Sequence, residues 1–138
     1  MDYGCGSGIL AIAAAKLGAA QVVGVDIDPQ AITAAADNAQ RNNVSIEWLC
    51  SAWPVAHREH LIGHFDILVA NILTNPLKAL AGELVQYVRP GGKIVLSGIL
   101  TEQVTGENGV QKVYSPWLAS LQVWGAEEGW VCLEGQRL

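Results

Sequence analysis

Apolar positions along the chain switch between two periods. An Ala-, Ile- and Leu-rich run at 9–17 predicts a helix closed by Gly18. A β-branched run at 21–25 predicts a strand ending at Asp26. Asp28-Pro29 reads as an N-cap with proline at the first helical position, opening an alanine-rich helix to about Arg41. A third strand is expected at 45–49 and a buried one at 65–70, Phe-Asp-Ile-Leu-Val-Ala. Residues 71–76 read as a loop. Leu77, Leu80, Ala81, Leu84, Val85 and Val88 then share one helical face. Arg89-Pro90-Gly91-Gly92 is a breaker before a strand at 93–97. Gly106 and Gly109 interrupt what would otherwise be a helix at 101–116, and strands at 120–124 and 130–133 close the chain as a hairpin-like pair. Strand and helix alternation implies an α/β fold, a mostly parallel sheet covered on both faces, with an antiparallel strand at the end.

The chain has 138 residues, enough for one domain; 51% are apolar and 15% charged, the profile of a packed core. A formal net charge of −5 argues against a nucleic-acid-binding surface. Cys5, Cys50 and Cys132 form neither a C-x-x-C pair nor an even framework, so a reduced, cytoplasmic setting is expected. No apolar run reaches membrane-spanning length, and no membrane partner is expected.

The chemistry concentrates at strand ends. Asp2-x-Gly4-x-Gly6-x-Gly8 joins the first strand to the first helix, and its glycines let backbone approach a ligand closely. The spacing is not the G-x-G-x-x-G of nicotinamide sites. A pyrophosphate gains little from Asp2, whereas a sulfonium or ammonium tolerates it. Asp26, 18 residues after Gly8, stands where an acid accepts hydrogen bonds from ribose hydroxyls. Asn71 follows the 65–70 strand, at the carboxyl end where open α/β sheets place ligands; its carbonyl can hold a nucleophilic amine. His57, His60 and His64 lack metal-ligand spacing and read as surface residues, so no metal is expected. Ser7 lacks the G-x-S-x-G setting of a nucleophile.

Together GCGSGIL, GVDIDP, NIL and LSGIL resemble the ribosomal protein L-eleven methyltransferases of bacteria, over 1 to about 103. The resemblance implies a Rossmann-like class I methyltransferase domain over 1–138, a seven-stranded sheet with one reversed strand and a first strand cut to a stub. It implies S-adenosyl-L-methionine held by Asp2, Gly4, Cys5, Gly6 and Gly8, with ribose on Asp26. Adenine would lie near Ile27 and the 51–53 segment, Ala52 in particular. The implied reaction is methyl transfer to lysine or N-terminal amines of a ribosomal protein, beside Asn71. Such enzymes grip that protein through a separate N-terminal domain, and the chain reads as a fragment or truncated start without it. A catalytically silent cofactor-binding fragment, a nicotinamide enzyme and another small-molecule or nucleic-acid methyltransferase are the competing readings. N-P-P-[YF] is absent at Asn71, which disfavours amide and base methylators.

Overall fold

The computed structural model describes residues 1–52 and 58–138, which fall into two compact units, Met1–Glu59 and His60–Leu138. The first unit contains β1 (Asp2–Tyr3), α1 (Ile9–Lys16), β2 (Val23–Asp26), α2 (Pro29–Arg41) and β3 (Glu47–Cys50). Its three strands are parallel, with β2 between β1 and β3. Val23 and Val25 of β2 and Ala35 of α2 are completely buried. Gly24 between those valines is a packing necessity: a Cβ there would stand 2.2 Å from the Trp48 ring. Helix α2 begins as the residues dictate, Asp28 Oδ1 accepting from the Gln30 N–H at 2.9 Å ahead of Pro29. Lys16 occupies the last turn of α1, and Gly18 leaves it at φ 98°.

The second unit contains β4 (Phe65–Asn71), α3 (Thr74–Ala79), α4 (Ala81–Tyr87), β5 (Val88–Leu100), α5 (Val110–Tyr114), β6 (Leu118–Glu127) and β7 (Trp130–Arg137), with a 3-10 turn at Thr101–Gln103. Strand β4 is parallel to β5, and β7 runs antiparallel to both β5 and β6. The fold is thus α/β with seven strands, mostly parallel and one reversed. Leu68, Leu77, Leu84, Ile94, Leu96, Ile99 and Leu133 are fully buried at its core. Tyr114 joins them, its hydroxyl donating to the Leu77 carbonyl at 2.8 Å. Burial pushes that phenol above its ordinary range.

Three local expectations change here. The helix expected from 77 begins at Thr74, because Pro76 sits in the first turn, where its missing N–H has no intrahelical partner to lose. The same run divides at Leu80 into α3 and α4. The breaker at 89–92 does not precede the strand but bulges out of it: Phe65 pairs with Val88 and Ile67 with Lys93, so four residues face Asp66 alone. Gly91 takes φ 76°, and a Cβ on Gly92 would lie 2.8 Å from the Asp66 carbonyl oxygen. Arg89 fastens the bulge through a 2.7 Å ion pair with Asp66.

Candidate functional site

In the first unit the 4–8 turn leaves β1 on glycine conformations. Gly4, Gly6 and Gly8 have φ of 76°, 52° and 83°, values that an L side chain resists. The amides of Gly4 and Cys5 both donate to the Val25 carbonyl, at 2.7 and 2.9 Å, and the Gly8 amide donates to the Cys5 carbonyl at 2.8 Å. Asn38 of α2 secures the turn by donating to the Ser7 carbonyl at 2.9 Å. Two of the glycines answer different needs. A Cβ on Gly8 would collide with the Trp48 ring at 2.8 Å and crowd Ala35 at 3.0 Å, so its absence lets α1 start against α2 and β3. A Cβ on Gly6 would meet nothing within 4 Å. Gly6 therefore faces space that the protein itself leaves open.

Both predicted acids sit against this turn. Asp26 Oδ2 accepts from the Gly6 N–H at 2.8 Å, and Oδ1 from the Asp28 N–H at 3.0 Å. An ionised carboxylate offers about four lone-pair sites; these two bonds leave capacity on both oxygens for ribose hydroxyls. Asp2 is 2% exposed, and its Oδ2 accepts from the Ala11 N–H at 3.0 Å. It thus serves the N-terminus of α1, whose own N-cap residue, Gly8, has no side chain to do so. Burial raises the Asp2 carboxyl to about 6, against the pull of the Ala11 amide, with Asp26 adding to the rise. Cys5 is buried beside these acids; desolvation, then the charges of Asp2 and Asp26, push its thiol up to about 12. It is a neutral wall group and no nucleophile. Ile27 is 73% exposed next to Asp26, and Ala52 is exposed in the turn after β3, two positions accessible to a flat apolar ring. Trp53 and His57 lie outside the described residues.

In the second unit Asn71 ends β4, opposite Ser97 of β5. It is exposed and lines a cavity of about 390 Å³ with Ile72, Leu73, Ser97, Gly98 and Trp130. None of these side chains is titratable. The cavity depends on Gly98: at φ 83°, a Cβ there would stand 2.4 Å from the Ile72 carbonyl oxygen and 3.3 Å from Asn71 Oδ1. Gln103 braces the next step of chain, its Oε1 accepting from the Leu100 N–H at 3.0 Å and the Thr74 hydroxyl at 2.5 Å. Motif reading singled out Asn71 but gave no role to Ser97, Gly98 or Trp130. A glycine inside a strand signals close backbone approach, which was the available clue for Gly98. Trp130 is brought there by antiparallel pairing with Leu100, which no local pattern announces. His60 and His64 are exposed, and no metal-binding cluster occurs among the described residues.

The chain as a whole is similar to known proteins. The family model described as ribosomal protein L11 methyltransferase (PrmA) matches residues 1–138. The chain is 55% identical over 135 residues to the ribosomal protein L11 methyltransferase of Dechloromonas aromatica, covering 98% of this chain and 42% of that protein. It is 50% identical to that of Cupriavidus metallidurans, covering 99% and 42%. The chain therefore spans about 42% of the length of these relatives. Among solved structures, the ribosomal protein L11 methylase of Lactobacillus delbrueckii subsp. bulgaricus superposes with a TM-score of 0.82 at 34% identity, over 99% of this chain and 68% of that one. The strand pattern is that of the Rossmann-like class I methyltransferases, and the chain belongs to the ribosomal protein L11 methyltransferase family.

Proposed function

We propose that residues 1–138 are the methyltransferase domain of an S-adenosylmethionine-dependent enzyme that methylates amino groups of a ribosomal protein. The observation that carries this reading is the pairing of the open Gly6 position with the Asp26 carboxylate, tied to the Gly6 amide and retaining free acceptor capacity. S-adenosylmethionine, when bound, supplies an electrophilic methyl group on a sulfonium. Asp26 would take the ribose hydroxyls, the 4–8 turn the amino-acid portion, and Ile27 and Ala52 the adenine. The buried Asp2 puts an anion beneath a cationic occupant, which suits a sulfonium better than a pyrophosphate.

Asn71 would accept a hydrogen bond from the acceptor amine and aim its lone pair. A lysine ammonium, with an ordinary pKa of about 10.4, must first lose a proton. The Asn71 site has neutral walls, so no lining carboxylate holds the amine in its charged form, and the proton can leave to water. Positioning, without a dedicated base, then supplies the catalysis. Among the described residues no helix is long and apolar enough to cross a membrane; a cytoplasmic setting fits an enzyme that acts on a ribosomal protein.

The test is calorimetric titration of the chain with S-adenosylhomocysteine and, separately, NADH, followed by methyl transfer to the ribosomal protein. Binding of the first alone, lost in Gly6→Val, is expected. Equal binding of both, or of neither, would remove the proposal.

A further inference from the structure

The β6–β7 hairpin holds a second cavity, of about 500 Å³, which shares Ser97 and Trp130 with the Asn71 cavity. Its lining residues include two tryptophans, Trp124 and Trp130, and two glutamates, Glu127 and Glu128. Trp124 is 75% exposed and Trp130 48%. Glu127 pairs across the strands with Trp130, and Glu128, at φ 50°, shapes the turn with Gly129. Both glutamates are exposed, and none of the lining residues is Lys or Arg. Large aromatic side chains left in water at a concave site mark a binding surface. Indole faces attract cations, and the adjacent carboxylates add charge of the same sense.

We infer that this groove docks a basic, lysine-bearing polypeptide segment, the stretch that flanks the amine entering the Asn71 cavity. The inference rests on the proposed methyl transfer to protein amines, and it names the surface that selects among them. Charge complementarity decides the occupant. A nucleic acid would bring phosphates against Glu127 and Glu128, and a purely apolar partner would leave both carboxylates desolvated without a counter-charge. A lysine-bearing segment satisfies indoles and carboxylates together.

The experiment is fluorescence anisotropy of a labelled, capped peptide of lysines spaced by Gly and Ala, titrated with the chain. A twin peptide carries Gln for every Lys. The lysine peptide should bind, the twin at least about fivefold more weakly, and added salt should weaken the first. Glu127→Gln/Glu128→Gln and, independently, Trp124→Ala should each lower affinity about fivefold or more. S-adenosylhomocysteine titration of the same samples reports folding and should be unchanged by these variants. Equal binding of the two peptides, or wild-type affinity in both variants, overturns the docking surface. Failure of the wild-type chain to bind S-adenosylhomocysteine would instead strike the methyltransferase reading, with the peptide comparison judging the groove on its own.

Discussion

Asp2→Asn should stabilise the protein at neutral pH while leaving it almost unchanged in acid. Asp2 is 2% exposed, and burial lifts its carboxyl from 3.8 to about 6. Below 3.8 the group is protonated in both folded and unfolded chains. Between 3.8 and 6 the unfolded chain releases the proton that the folded chain keeps, so stability falls as pH rises. Above 6 the cost is fully expressed. A gap of roughly two units at about 1.36 kcal/mol each amounts to about 3 kcal/mol. Asparagine has nearly the same shape and retains an oxygen for the Ala11 N–H. The attraction between the charged carboxylate and the Ala11 amide is already contained in the net shift to about 6. The variant should therefore exceed wild type by about 3 kcal/mol at pH 7.5 and lie within about 1 kcal/mol of it at pH 4. Paired urea titrations at the two pH values measure this. A difference that does not change with pH, or a wild type that is the more stable at pH 7.5, would refute the buried-carboxylate argument.

Other outcomes follow from single contacts. Gly98→Ala combines φ 83° with a Cβ 2.4 Å from the Ile72 carbonyl; a loss of about 2–4 kcal/mol is expected in urea denaturation. Asp26→Asn sets an NH₂ against either the Gly6 or the Asp28 N–H. Calorimetry should show S-adenosylhomocysteine affinity lowered about tenfold or more. Tyr114→Phe removes the bond to the Leu77 carbonyl and should cost about 1 kcal/mol in the same denaturation assay. Asn71→Ala should slow methyl transfer by about a hundredfold while leaving S-adenosylhomocysteine affinity within about twofold, a split that marks a group acting on the acceptor.

The sequence by itself determined what is local. Helix α2 is bounded as its Asp28-Pro29 start and Asn42-Asn43 end imply, because caps act within a few residues of their own backbone. The 4–8 turn and the positions of Asp26 and Asn71 at strand ends were legible for the same reason: chain direction fixes which end of a strand meets the following loop. What lies far apart in sequence was decided only by tertiary structure. Nothing near Asp2 reveals that its carboxylate caps a helix nine residues on and is buried there. Gly8 and Gly24 look like loop and strand glycines until the Trp48 ring is found where their side chains would be. Strand β5 continues past Pro90-Gly91-Gly92 because neighbouring β4 accepts a bulge at Asp66. Trp130 reaches Ser97 and Gly98 through antiparallel pairing of β7 with β5. Burial, pKa and the walls of a cavity depend on which chains pack together, and packing between distant segments is set by the whole core.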